Sequence, residues 1–161
     1  MRISPEDLAV VTEQLGRAPR GAVGVAARCV CGRPTVVLTA PRLPDGAPFP
    51  TTFYLTHPVA VSAIATLEAA GVMREMNQRL AEDPQLAASH RAAHADYLTR
   101  RAALGQVPEI AAESAGGMPT RVKCLHALVA HALAAGPGIN PFGDQALELI
   151  AASWSPHRCA C

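Results

Sequence analysis

Apolar residues along this chain keep two different rhythms. Leu8, Val11 and Leu15 recur at helical spacing behind Ser4-Pro5-Glu6-Asp7, which reads as a helix start: a Ser cap, Pro in the first position and acids in the first turn, with Gly16 closing the segment. From Gly21 the pattern turns β-prone, in Ala22 to Cys29 and again in Thr35 to Thr39. Cys31-Gly32-Arg33-Pro34 lies between them as a turn, so a hairpin with cysteines at its tip is predicted. Residues 41–50 hold four prolines and Asp45-Gly46, the composition of a rigid loop, and Thr51 to Leu55 is a third strand.

Beyond His57 the rhythm is helical. Pro58 opens a segment carrying Val61, Ile64, Ala65 and Leu67 that stops near Gly71, and a second with Met73, Met76 and Leu80 runs to Glu82. Asp83-Pro84 starts a helix of about twenty residues with Leu86, His90, Ala93, Tyr97 and Leu104 in phase. Residues 105–118 read as a loop. Pro119 is then predicted to open the most apolar helix, through Leu125, Leu128, Val129 and Leu133, ended by Gly136-Pro137-Gly138. A short helix over about Asp144 to Ala152 precedes a tail ending Cys159-Ala160-Cys161. The expectation is one α+β domain over 1–152, a small antiparallel sheet of about three strands packed with five or six helices, and a tail over 153–161.

Composition narrows the field. The 161 residues fit one domain, half of them are hydrophobic, and 14 basic residues balance 13 acidic ones to +1. Neither a polyelectrolyte nor a membrane protein is written here: no leader opens the chain, and the apolar run Ala127 to Ala135 is too short to span a bilayer and is broken by His131. The chain reads as cytoplasmic. Five arginines and no acid lie between Arg17 and Pro44, but Lys123 is the only lysine, and an Arg excess beside so much Ala, Gly and Pro reads as GC-rich coding. With aromatics at 4% there is little to stack on bases, which weighs against nucleic acid as a partner.

In a cytoplasmic chain, five cysteines are thiols, metal ligands or redox groups rather than a disulfide framework. Cys29 and Cys31 sit where a turn breaks strand alternation, so both sulfurs can face one ion. Cys124 comes from the apolar helix and His57 from a strand-to-helix junction. These four are the candidate metal ligands, for zinc or, as the alternative, an iron–sulfur cluster. A single C-x-C is a weak motif, and the competing reading makes Cys124 a small core residue. Helix geometry limits the helix to one ligand: Cys124 and His131 are separated by a rise of about 10.5 Å, and Cys124 and His126 point to nearly opposite faces. His131 then reads as a core histidine. His90 and His94 have chelating spacing, but His90 falls on an apolar stripe, which favours packing.

The second candidate is an anion site. Gly116-Gly117 ahead of a helix would expose backbone N–H groups at its positive end, with Arg121 and Lys123 beside them and Arg42 and His126 completing a cleft for a phosphorylated or anionic small molecule. It is not a P-loop, and no G-x-S-x-G, H-E-x-x-H or dinucleotide fingerprint appears, so no catalytic residue is named and enzymatic activity stays open. Asp45-Gly46 is a turn by the same reasoning.

The strings Pro41-Arg42-Leu43-Pro44-Asp45-Gly46, Pro48-Phe49-Pro50-Thr51, Tyr54-Leu55-Thr56, Ser114-Ala115-Gly116-Gly117-Met118-Pro119 and Arg121-Val122-Lys123-Cys124-Leu125-His126 together resemble an actinobacterial family known only as domain of unknown function number 501. The likeness runs from about Leu15 to Leu149. It implies no activity. It implies a gene neighbourhood with a septum-formation initiator, enolase and an exopolyphosphatase, and some members carry a septum-formation label. It also implies that Cys can replace His57, and that Cys31 is less constant than Cys29 and Cys124. The tail cysteines fall outside the likeness. The expectation is a zinc-stabilised domain acting on an unknown protein partner in cell division, with anionic-ligand binding at Gly116-Gly117 as the alternative.

Overall fold

The computed structural model describes residues 2–159. Helix α1 (Pro5–Leu15) begins as its sequence demands, with the Ser4 hydroxyl accepting from Asp7 N–H, and ends on Gly16 in the left-handed conformation. Strands β1 (Ala22–Arg28), β2 (Pro34–Thr39) and β3 (Phe53–Leu55) form an antiparallel sheet in that order, with Val36 opposite Leu55 and Val37 opposite Tyr54. Then come α2 (Pro58–Ala69), α3 (Val72–Glu82), α4 (Pro84–Ala102), a single 3-10 turn at Pro108–Ile110, α5 (Leu125–Ala135) and α6 (Pro141–Leu149). Among the described residues, six α-helices and three strands make one α+β domain, and no helix is long and apolar enough to cross a membrane.

The hub is α5. Leu125, Leu128, Val129, Ala130, His131 and Ala132 are all buried, and the helix packs on the sheet on one side and on α6 on the other. A near-continuous apolar surface is what a helix in the middle of a fold needs. The approach of α6 is set by Gly143, where any Cβ would collide with the Leu128 carbonyl oxygen and Ala132. His131 is a core residue at 0% exposure, held between Asp96 (2.7 Å) and the Asn140 amide (3.0 Å) and stacked on Phe53. His90 is equally buried, bonded to the Arg121 carbonyl oxygen at 3.0 Å and set edge-on to Phe142.

Two loops are fastened by α4. The Tyr97 hydroxyl accepts from Thr52 N–H at 2.8 Å, and the buried Arg101 guanidinium donates to the carbonyl oxygens of Pro50, Ile110, Glu113 and Ser114. Buried carbonyls need donors, and this one side chain supplies them for both loops.

Two helix starts differ from the sequence reading. The last helix opens at Pro141 behind an Asn140 cap rather than at Asp144. The apolar helix opens at Leu125, not at Pro119. Residues 120–124 are an irregular strap, because Asn77 holds Val122 as a neighbouring strand would: Val122 N–H donates to Asn77 Oδ1 (2.8 Å) and the Asn77 amide donates to the Val122 carbonyl (2.9 Å). The Met118–Pro119 peptide bond is cis.

Candidate functional site

The hairpin turn is built by Cys29 and Gly32. Cys29 N–H donates to the Arg33 carbonyl at 3.0 Å, Gly32 N–H returns to the Cys29 carbonyl at 2.8 Å, and Gly32 takes a positive φ of 90° that a side chain would resist. The tight turn interrupts the alternation of the strand, so Cys29 and Cys31 fall on one side with their sulfurs 2.7 Å apart. Cys31 itself carries a disulfide bond.

The third sulfur comes from the other end of the chain. Trp154 is buried in the core and Val30 N–H donates to the Pro156 carbonyl at 2.8 Å, which lays the tail along the hairpin tip. Cys159 is thereby buried, and the Sγ atoms of Cys29, Cys31 and Cys159 all lie within 4.8 Å of one another. His57, at the start of α2, brings Nε2 to 3.1 Å from Cys159 Sγ, while its Nδ1 is buried without a hydrogen-bond partner and its ring packs on Trp154. Burial, with Arg33 adding, holds the His57 imidazole below its ordinary pKa and so neutral, the form in which imidazole binds metal. Burial first, then contact with Cys29, pushes the Cys159 thiol up. The three sulfurs are close enough together to hold one metal ion, and His57 approaches the group through Cys159 alone. Cys161 lies outside the described residues.

Cys124 does not join this group. It caps α5 in an extended conformation (φ −144°, ψ 109°), and there it meets His126 and Glu68, the latter from α2, with one ligand atom of each within 4.8 Å of the others. The opposite-faces expectation assumed that both residues lie within the helix; because the helix starts at Leu125, the Cys124 side chain is free of helical phase. Sequence reading missed Glu68, since nothing in α2 signals a carboxylate turned toward another helix's start. Its Oε2 accepts Leu125 N–H at 2.8 Å and its Oε1 lies 3.1 Å from His126 Nδ1; His126 Nε2 lies 3.2 Å from the Val61 carbonyl oxygen. Both partners of the ring only accept, an arrangement that favours the protonated form of His126. Contact with Cys124 first, then Glu68, raises its pKa; in return His126 is the main cause holding the Cys124 thiol below its ordinary value.

The glycine pair has a different setting from the one expected. The Gly116 carbonyl accepts from Lys123 and Cys124 N–H, and the Gly117 carbonyl from Thr120 and Arg121 N–H, so these backbone donors are spent inside the strap. The anion at the start of α5 is the protein's own Glu68. Gly116, Gly117, Arg121, Lys123 and Cys124 line a surface depression of about 520 Å³. Arg42 is bonded instead to Glu109 and the Gly46 carbonyl, and His126 belongs to the cluster just described.

A small sheet overlaid by helices, with sulfurs pinning a hairpin to a distant tail, defines an α+β domain with a candidate metal centre. The chain matches the family described as "Protein of unknown function (DUF501)" over residues 25–148, well over half its length, and belongs to that family. No curated protein and no solved structure matches it. Cys29, Cys31, His57, Glu68, Cys124 and His126 fall inside the matched region, and Cys159 beyond it.

Proposed function

We propose that Cys29, Cys31, Cys159 and His57 hold one zinc ion that staples the hairpin to the C-terminal tail. The observation that carries this reading is the convergence of three sulfurs from distant parts of the chain, all within 4.8 Å, with an imidazole nitrogen touching one of them. With His57 completing the set, four protein donors would leave no open position and the ion would be structural. Reduction of the Cys31 disulfide is a precondition, since thiolates are the ligands. The tip that the ion stiffens carries Val30 at 69% exposure between the two ligands, an apolar contact for a protein partner. A role for that partner in cell division is supported only by the family resemblance.

The test is metal analysis of full-length protein purified reduced, without oxygen or chelator. About one zinc per chain is expected, lost in Cys29→Ser and Cys159→Ser and retained in Cys124→Ser. Iron with sulfide would replace zinc by a cluster. Metal-free protein with an intact disulfide would sink the reading, and loss in Cys161→Ser but not in His57→Ala would move the fourth ligand to Cys161.

A further inference from the structure

The Cys124 cluster opens on a cavity that the metal reading leaves unused. Cys124 and His126 line a cavity of about 650 Å³ whose walls include Phe53, Leu55 and Val61. Two further lining residues, Gln14 and Thr56, have a side-chain oxygen that is buried with no hydrogen-bond partner, Thr56 at 1% exposure. Buried oxygens without partners are costly to a fold unless something binds them. A mainly apolar cavity beside a sulfur–imidazole pair is the form of a small-molecule site.

The three groups of the cluster could also be metal donors. They are, however, already committed: both Glu68 oxygens and both His126 nitrogens have partners in Leu125 N–H, the Val61 carbonyl and each other. What is left facing the cavity is a sulfur beside an imidazolium and at the N-terminal end of α5, the setting that turns a thiol into a thiolate.

We propose that Cys124 is a nucleophile that accepts an acyl group from an ester or thioester bound in this cavity, with His126 as its acid and base and Glu68 as the residue that positions His126. The Cys124 thiolate attacks the acyl carbonyl carbon and a carbon–sulfur bond forms. The bond to the leaving alcohol or thiol breaks, and that group takes a proton from the His126 imidazolium. Water then attacks the acyl-sulfur carbonyl, giving a proton back to His126; the acid leaves and thiolate and imidazolium are restored. No redox partner is required.

Two measurements on the reduced full chain test this. The first is the pH profile of iodoacetamide alkylation, read on the Cys124 peptide by mass spectrometry. Cys124 should react at pH 6 roughly tenfold faster than in His126→Asn or His126→Gln, each checked for folding by circular dichroism, and Glu68→Gln, which removes a negative charge that itself raises the Cys124 pKa, should shift the onset of alkylation to lower pH while slowing acyl transfer. The second uses p-nitrophenyl acetate: a burst of nitrophenolate with acetyl on Cys124 and slow turnover, the burst absent in Cys124→Ser. The proposal fails if Cys124 alkylates no faster than in the urea-unfolded chain, if acetyl settles elsewhere with the burst intact in Cys124→Ser, or if bound zinc shields Cys124 until a chelator removes it.

Discussion

The two cysteine clusters use the same chemical alphabet to opposite ends. At the hairpin tip, three sulfurs and a histidine meet: His57 Nδ1 is unpartnered and the Cys159 thiol is pushed up by burial and by its neighbour. At the start of α5, one sulfur meets a cation and an anion that already neutralise each other. In the first arrangement burial dominates and the Arg33 charge only adds to it at His57; in the second the His126 ring is the main partner of the sulfur. Donor identity alone therefore does not assign a site; what the remaining lone pairs and protons are doing decides between ligand and nucleophile.

The comparison breaks most visibly on removing metal. Adding chelator, or making Cys159→Ser, should cost about 3 kcal/mol, roughly 6–12 °C in melting temperature for a chain of this size, while Cys124→Ser leaves metal content unchanged. Calorimetry with parallel metal analysis reads this, and equal losses in both variants would merge the clusters.

Next in size is Gly116→Ala. Gly116 has φ 66°, and a Cβ there would meet Leu128 Cδ2 at 2.7 Å and the Cys124 carbonyl at 3.1 Å. A loss of about 2 kcal/mol is expected in urea unfolding, with Cys124 alkylation altered and zinc content intact.

Smaller is the pH dependence of the second cluster. The folded state raises the pKa of His126, so it binds that proton more tightly than the unfolded chain does. The stabilisation is complete below the ordinary imidazole value of 6.5 and is lost as pH rises through the folded value. Wild type should exceed His126→Asn by about 1 kcal/mol near pH 6, and the margin should shrink toward alkaline pH in urea titrations. A margin that grows with pH would invert the charge assignment. The smallest effect is expected for Arg42→Ala: its ion pair with Glu109 is exposed, so neither melting temperature nor either cluster should change measurably.

Much of the fold was legible because proline and glycine punctuate it. Ser4-Pro5, Asp83-Pro84 and the turn at Gly32 each act through local backbone chemistry, and the structure places elements where those signals do. Cys29 and Cys31 were legible for the same reason, being neighbours across one turn. Cys159 was not, since the tail reaches the hairpin through a tertiary contact, Val30 to Pro156, that no local pattern encodes. The pairing of Cys124 with His126 was hidden by a misplaced helix start. Pro119 is a good first residue for a helix, but Asn77, far away in sequence, captures Val122 and delays the helix to Leu125.

Thirteen of the fourteen cations in this chain are arginine, a bias that makes any single one look interchangeable. Arg101 is not. Its flat fork divides its hydrogens among carbonyls of two separate loops, and the ammonium of a lysine, with three hydrogens radiating from one point, cannot cover that spread. A chain recoded with lysine at every exposed arginine should still fold, whereas the same change at Arg101 alone would leave both loops without their common anchor.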